Sequence, residues 1–197
     1  PRKIGAWSDW DLVGGAAASH YIHEALPIEG TWEGNHYTFM GEECTSHPEG
    51  TPSCLIYTMD TTDPANPKMA GAWTFPYDSG VWTYPGFSVH YMALVNRTLF
   101  ISAFHAGVWA VDVSTEENIR MMPTVGVFLP DNLPPKGFLK DHNYHRSPAT
   151  ADVIAMGDGN LLTFDETTGA YIIRFDDANP APAPTPWKIP GTFYAEE

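Results

Sequence analysis

Short apolar stretches alternate with turn residues along most of the chain. In the middle of the sequence, apolar runs at 89–95 and 98–103 flank Asn96-Arg97, and two more follow at 108–113 and 124–129. A similar series occupies 152–156, 160–164 and 170–175, with a glycine-rich turn at 157–159. Short runs rich in β-branched and aromatic residues and bounded by turn residues are typical of antiparallel strands. The pattern predicts an all-β protein built from hairpins.

These strands recur in units. Aligning Met59 with Val111, and Val111 with Ile173, gives offsets of 52 and 62 residues. Residues 1–7 (PRKIGAW) also match 67–73 (PKMAGAW) at Pro, Gly, Ala and Trp. Four strands per unit at this period are characteristic of β-propeller blades, whereas a β-sandwich, the alternative, does not explain the recurring motifs. We expect blades at 20–75, 88–129 and 145–194, the last with a Pro-rich tail, and an outer strand of a preceding blade at 1–7.

The units share the pattern hydrophobic-x-x-Val-Asp-Val-Ser/Thr-Asp-Pro-x-x-Pro-x-x-x-Gly. This pattern resembles that of the LVIVD-repeat β-propellers, and residues 55–73, 90–128 and 152–179 carry it. The second unit departs from it at 115–118 (TEEN), and the third has Ile173-Arg174 in place of Val-Asp. The resemblance implies a propeller in an exported or surface-attached protein. It implies little chemistry, because activities in this family are mostly unassigned.

Three blades are fewer than the roughly four to eight of known propellers. An open stack would expose an apolar blade face at each end, which is an association surface. We therefore expect the remaining blades to come from the same precursor or from another chain, with a homo-oligomer as one possibility. A self-contained protein of 197 residues is the alternative.

Charge and hydropathy exclude two classes of partner. The chain has 24 acidic and 10 basic residues, a net charge of −14, and such a surface repels phosphate backbones. No stretch approaches the roughly 18 consecutive apolar residues of a membrane span. We expect neither nucleic-acid binding nor a transmembrane segment.

Two further features favour an extracellular or cell-surface location. Cys44 and Cys54 flank a polar stretch of the kind that caps a hairpin, so we expect a disulfide, with two buried free thiols as the alternative. Asn96 begins an Asn-Arg-Thr sequon at an expected turn and is a candidate glycosylation site. Both features suit an oxidising compartment.

Histidines and carboxylates fall near the starts of the expected inner strands. The 62-residue offset aligns His90 with Asp152, and the His-Tyr-Ile at 20–22 matches the His-Tyr-Met at 90–92. Imidazoles and carboxylates that converge on a propeller channel can bind one divalent or transition-metal ion. The alternative is that they line a water-filled channel and bond the neighbouring backbone. The candidate ligands are His20, His23, Glu24, His90, His105 and Asp152.

An aromatic stretch in the connection between the expected blades at 20–75 and 88–129 offers a candidate recognition surface. It contains Trp82, Tyr84 and Phe87, and packing over the channel mouth explains these residues equally well. No Gly-x-Ser-x-Gly, phosphate-binding glycine loop or Cys-x-x-Cys occurs. We therefore expect a non-catalytic extracytoplasmic binding or assembly module. The alternative is a metal-dependent enzyme, such as an oxidoreductase, by fold-level analogy with the selenium-binding and methanethiol-oxidase propellers.

Overall fold

The structure is a computed structural model that describes residues 2–6, 20–44, 55–74, 88–104, 106–130, 149–166 and 168–175, with backbone only at 20, 21 and 44. Sheet 1 consists of β1 (His20–Pro27), β2 (Tyr37–Cys44), β3 (Ile56–Asp60) and β4 (Lys68–Trp73). Sheet 2 consists of β5 (Met92–Val95), β6 (Thr98–Ser102), β7 (Val108–Asp112) and β8 (Thr124–Phe128). Sheet 3 consists of β9 (Thr150–Ala155), β10 (Asn160–Asp165) and β11 (Gly169–Arg174).

The prediction of an all-β protein is confirmed. Within the described residues, each sheet is an antiparallel meander in which strands consecutive along the chain are paired, and none of the three sheets closes on itself. A fourth strand of the third unit would lie after residue 175, outside the described residues. Residues 2–6 are described but belong to no assigned strand.

Sheets 1 and 2 repeat the same irregularities 52 residues apart. The pairing of the third and fourth strands shifts between Thr58 and Met59 in sheet 1, and between Ala110 and Val111 in sheet 2. The aspartate that ends the third strand accepts a hydrogen bond from the backbone two residues later in both sheets, at Asp60 (2.9 Å) and at Asp112 (2.7 Å). These Asx turns start the loop to the outer strand. The two sheets are therefore built on one repeated plan.

The corresponding loop of sheet 2 contains a short helix, α1 (Glu116–Met121), a non-strand element that the hairpin pattern does not predict. Thr115 is its N-cap, because the Thr115 hydroxyl accepts a hydrogen bond from the Asn118 backbone. Two acidic residues lie in its first turn and Arg120 in its last, as the helix dipole favours. With six residues, α1 is far too short to cross a membrane, and no described helix meets that requirement.

The sheets pack face to face through two apolar clusters. Between sheets 1 and 2, the Trp73 and Trp109 rings lie 6.0 Å apart within a buried core that also includes Phe39 and Leu99. Between sheets 2 and 3, Phe100 packs in a cluster whose members include Ala93, Val108, Ala110, Val153 and Leu161. Removal of this apolar surface from water stabilises the stack by about 25 cal/mol per Å².

Glycines in the outermost strands allow the next sheet to approach closely. A Cβ on Gly71 of β4 would overlap the carbonyl oxygen of Arg120, in the loop that follows β7. A Cβ on Gly126 of β8 would lie 2.9 Å from the Phe175 ring, directly after β11. The recurring glycine is therefore required by packing between sheets. Gly5 has the same relation to the loop that follows β3, because its Cβ would overlap the carbonyl oxygen of Pro64.

Candidate metal centre

The first strand of each sheet is preceded or interrupted by a β-bulge at the same place. In sheet 1, His23 is the extra residue, since Ile22 and Glu24 pair with consecutive residues of β2. In sheet 2, Ser102 accepts a hydrogen bond from the His90 backbone and donates one to the Tyr91 carbonyl. In sheet 3, Ala151 is the extra residue, between the pairs formed by its two neighbours. The equivalent bulge residues are therefore His23, His90 and Ala151.

The bulge histidines form a directional series of hydrogen bonds between sheets. The Nδ1 atom of His23 lies 3.0 Å from the carbonyl oxygen of His90, and the Nδ1 atom of His90 lies 2.5 Å from that of Ala151. A carbonyl oxygen only accepts, so each Nδ1 must carry the proton. When such an imidazole is neutral, its Nε2 atom carries the lone pair that can bind an ion. Backbone carbonyls orient metal-binding histidines in the same way.

Glu43 of β2 completes a three-residue cluster with these two histidines. One ligand atom from each of His23, Glu43 and His90 lies within 4.8 Å of the other two. The His23 Nε2 atom is 3.5 Å from the Glu43 Oε2 atom, and both side chains are 21% exposed. The two imidazole rings stack with centroids 4.3 Å apart. Solvent therefore reaches the cluster while the protein holds its rings.

Aromatic rings fix the imidazoles from the remaining sides. The Tyr91 ring packs edge-on against both His23 and His90, with centroids 5.1 Å and 4.6 Å away. The Phe104 ring lies 4.8 Å from the His90 ring. These contacts restrict rotation of the imidazoles, so they would lower the entropy lost on binding of any ion at these nitrogens.

Glu24 lies next to the cluster but does not join it. Burial raises the pKa of the Glu24 carboxyl to about 7, the Met92 backbone N–H and His23 oppose the rise, and the Asp152 carboxylate adds to it. The Oε2 atom of Glu24 is buried without a hydrogen-bond partner among the described residues. Glu24 and Asp152 follow the bulge residue in sheets 1 and 3, and the two carboxyl groups are close enough for Asp152 to raise the pKa of Glu24.

The structure brings together only part of the predicted ligand set. His23 and His90 meet, whereas Asp152 accepts a hydrogen bond from the Val153 backbone and stands outside the cluster. The expected equivalence of His90 with Asp152 was wrong by one residue, because the residue at the bulge of sheet 3, and so the equivalent of His90, is Ala151. His20 begins β1 three residues before the bulge, so the sequence match of His20 with His90 was also wrong in register.

Several candidate residues lie outside the described residues. They are His105, Trp82, Tyr84, Phe87, Cys54 and the side chains of His20 and Cys44. The disulfide and the aromatic surface therefore stay predictions. Asn96 is exposed in the expected turn, where it and Arg97 have φ values of 48° and 63°, and its glycosylation likewise stays a prediction.

Glu43 is the member of this cluster that sequence reasoning missed. It lies in the Glu42-Glu43 pair near the end of β2, and alternation along a strand sends two neighbouring side chains to opposite faces. Glu42 is fully buried and accepts hydrogen bonds from the Tyr57 hydroxyl at 2.9 Å and the Leu55 backbone at 2.8 Å. Two adjacent carboxylates near the end of an apolar strand were therefore the sequence feature that could have indicated Glu43 as a candidate.

A scan against protein-family models finds no match to this chain, and a search of curated proteins finds no significant one. The resemblance to the LVIVD-repeat propellers therefore depends on the sequence pattern alone.

Proposed function

We propose that this chain is a metal-binding β-propeller module in which His23, Glu43 and His90 hold a divalent transition-metal ion between two blades. The observation that carries the proposal is the cluster of two imidazoles and a carboxylate, in which the Nδ1 atom of each histidine lies at a backbone carbonyl of the next sheet. Imidazole and carboxylate donors suit Zn²⁺ and other first-row divalent ions.

Three features support the propeller arrangement. The sheets are meanders of the kind found in blades, the 52-residue repeat reproduces their irregularities, and glycines recur where consecutive sheets approach. In this interpretation β1, β5 and β9 are the innermost strands, and the metal lies at the channel. The sequence resemblance supports an exported or cell-surface protein, with further blades completing the ring.

Binding is the function that the cluster supports best. Three protein ligands leave at least one coordination position for water or a ligand, which is typical of catalytic rather than closed structural zinc sites. A metal-dependent enzyme is therefore the second candidate, and the 21% exposure of His23 and Glu43 is the observation in its favour.

The test removes the ligand nitrogens and keeps the structural hydrogen bonds. An asparagine side-chain N–H can take the place of a histidine Nδ1–H, so His23→Asn and His90→Asn lose Nε2 while they retain a donor to the next sheet. We expect the wild-type chain to bind one Zn²⁺ per chain, measured by elemental analysis after dialysis and by titration calorimetry. Each Asn variant, and Glu43→Gln, should weaken binding by at least about tenfold.

His36→Asn is the matched control, because His36 is an exposed histidine of the loop that precedes β2. It should bind Zn²⁺ as the wild type does, and the melting temperatures of all variants should stay close together without metal. Absence of a stoichiometric ion in the wild type would contradict the proposal. Equal losses in His36→Asn and His90→Asn would also contradict it, because they would mean nonspecific binding.

A further inference from the structure

Ala151 of sheet 3 offers its backbone carbonyl to sheet 2, because a bulge takes this residue out of the ladder. Its neighbours Thr150 and Asp152 pair with consecutive residues of β10, and Ala151 is the extra residue between them. Two side chains of sheet 2 contact its carbonyl oxygen: the His90 Nδ1 atom lies 2.5 Å away and the Ser102 Oγ atom lies 3.2 Å away. The carbonyl that orients His90 is therefore also held by Ser102.

Ser102 is fully buried and bonds the bulge of sheet 2 with both its backbone and its side chain. Its backbone carbonyl accepts from the His90 N–H, and its backbone N–H donates to the Tyr91 carbonyl, both at 2.9 Å. Its hydroxyl oxygen accepts from the Tyr91 N–H at 2.9 Å. The single hydroxyl proton is left for the carbonyl oxygens of Tyr91 and Ala151, at 3.0 Å and 3.2 Å. One side chain thus joins the backbone around His90 to the carbonyl that the His90 ring contacts.

The repeated plan of the sheets does not itself require a hydroxyl at this position. The residue that pairs directly after the bulge is Gly41 in sheet 1 and Phe164 in sheet 3. A Cβ on Gly41 would lie 2.8 Å from the Val89 side chain, so close packing accounts for that glycine. The contacts around His90 account for Ser102.

The tautomer of His90 decides which of its nitrogens can bind an ion. A neutral imidazole has one N–H and one lone pair, and a carbonyl oxygen only accepts. The Ala151 carbonyl beside Nδ1 therefore favours the Nδ1–H form, whose lone pair is on Nε2. If this carbonyl moves away, the Nε2–H form gains population, and its lone pair is on the nitrogen that faces sheet 3. The position of one backbone carbonyl thus controls the donor atom of His90.

We propose that Ser102 is a positioning residue for His90: its hydroxyl holds the Ala151 carbonyl where that carbonyl selects the Nδ1–H tautomer and so presents Nε2 to the ion. This inference rests on the metal site proposed above and deepens it. The three ligands belong to sheets 1 and 2, whereas the group that orients one of them belongs to sheet 3.

The first experiment observes the tautomer in the metal-free chain. Nitrogen-15 NMR at about pH 8.5, where ordinary imidazoles are neutral, distinguishes a protonated ring nitrogen from an unprotonated one. Comparison with His90→Asn identifies the His90 signals among those of the eight histidines. The wild type should have the Nδ1–H form. Ser102→Ala should shift His90 towards the Nε2–H form, whereas Ser102→Thr, which keeps the hydroxyl, should not.

The second experiment measures Zn²⁺ affinity by titration calorimetry. Ser102→Ala should weaken binding about tenfold, which is the lower end of the effect of losing a group that orients a metal-binding histidine. Thr163→Val is the matched control, because Thr163 is equally buried and its hydroxyl donates to the carbonyl of Asp152, the residue after Ala151, at 2.7 Å. This control should lower the melting temperature but leave the His90 tautomer and the affinity unchanged.

Three results would overturn the role of Ser102. They are a wild-type His90 in the Nε2–H form, an unchanged tautomer in folded Ser102→Ala, and the same shift in Ser102→Thr as in Ser102→Ala. Equal weakening of Zn²⁺ binding in Ser102→Ala and Thr163→Val would also overturn it, because a general loss of packing would then explain both. The first result needs no variant that could fail to fold.

The metal site is judged separately, because the tautomer is observed without metal. A chain with the expected tautomers that binds no Zn²⁺ rejects the proposed function and leaves the positioning of His90 by Ser102 intact. A chain that binds one Zn²⁺ while Ser102→Ala changes neither the tautomer nor the affinity rejects only this inference.

Discussion

Replacement of Gly71 by alanine should destabilise the protein far more than the same change at Gly126. A Cβ at Gly71 would overlap the carbonyl oxygen of Arg120 and lie 2.8 Å from its Cα, so it would meet backbone. That backbone belongs to the last turn of α1, which is held by the hydrogen bond from the Met122 N–H to the Asn118 carbonyl. A Cβ at Gly126 would meet only the edge of the Phe175 ring at 2.9 Å, and a side chain can rotate.

The magnitudes follow from this difference. Insertion of one methyl group into a well-packed site costs about 1–3 kcal/mol, and an unyielding backbone neighbour puts Gly71→Ala at the upper end. For Gly126→Ala, rotation of Phe175 should leave a cost of about 1 kcal/mol or less. In both variants the lower entropy of the unfolded chain offsets about 0.4–1 kcal/mol of the cost.

Urea-induced unfolding followed by tryptophan fluorescence and by far-ultraviolet circular dichroism gives the free energy of unfolding of each variant. We expect the loss in Gly71→Ala to exceed the loss in Gly126→Ala by at least about 1 kcal/mol, a large part of the range for overpacked sites. Equal losses, or the reverse order, would refute the assignment of Gly71 as the closest approach between sheets 1 and 2.

Three further outcomes test the electrostatics and the capping. The pKa of Glu24, raised to about 7, means that the native state holds this proton more tightly than the unfolded state, so stability should fall as pH rises from about 4.5 to 7. In metal-free protein, Glu24→Gln should make the free energy of unfolding less dependent on pH across this range, by an amount on the order of 1 kcal/mol after solvent screening. Urea unfolding at several pH values measures this difference. Asp165 is buried and accepts hydrogen bonds from the Ala149 and Thr168 backbones. Asp165→Asn should therefore lower the free energy of unfolding by about 2–4 kcal/mol. Asp158 lies in an exposed turn, so Asp158→Asn should lower it much less. Thr115→Ala removes the N-cap of α1 and should lower the free energy of unfolding by about 1 kcal/mol, an effect that Thr115→Ser should largely avoid.

The strands were predictable because they are short, apolar and bounded by strong turn signals. The expected hairpin around Asn96-Arg97 appears as β5 and β6, and the expected strands at 160–164 and 170–175 appear as β10 and β11 within one residue at most boundaries. The helix α1 was missed because a six-residue segment in a polar loop carries little apolar periodicity. Its capping threonine and acidic first turn were the signals present.

The candidate site was predictable only in part, because register depends on turn length. The turn between β5 and β6 has two residues, whereas Gly157, Asp158 and Gly159 separate the paired Met156 and Asn160. Because of this extra residue, equivalent residues of sheets 2 and 3 are 61 positions apart before the turn and 62 positions apart after it. A single offset therefore aligned His90 with Asp152 instead of Ala151. No sequence pattern reports the pairing of β1 with β2, so Glu43 could not be placed beside His23.

The series of hydrogen bonds from His23 to His90 and from His90 to Ala151 has a direction, and that direction has an energetic consequence. A cation on Nε2 withdraws electron density from the imidazole and makes the opposite N–H a stronger donor, so an ion beside His90 would tighten the contact between sheets 2 and 3. By reciprocity, loosening of that contact would weaken the hold on the ion. The affinity for metal would then depend on how tightly sheets 2 and 3 pack, although the ion itself contacts neither Ala151 nor any other residue of sheet 3 in this proposal.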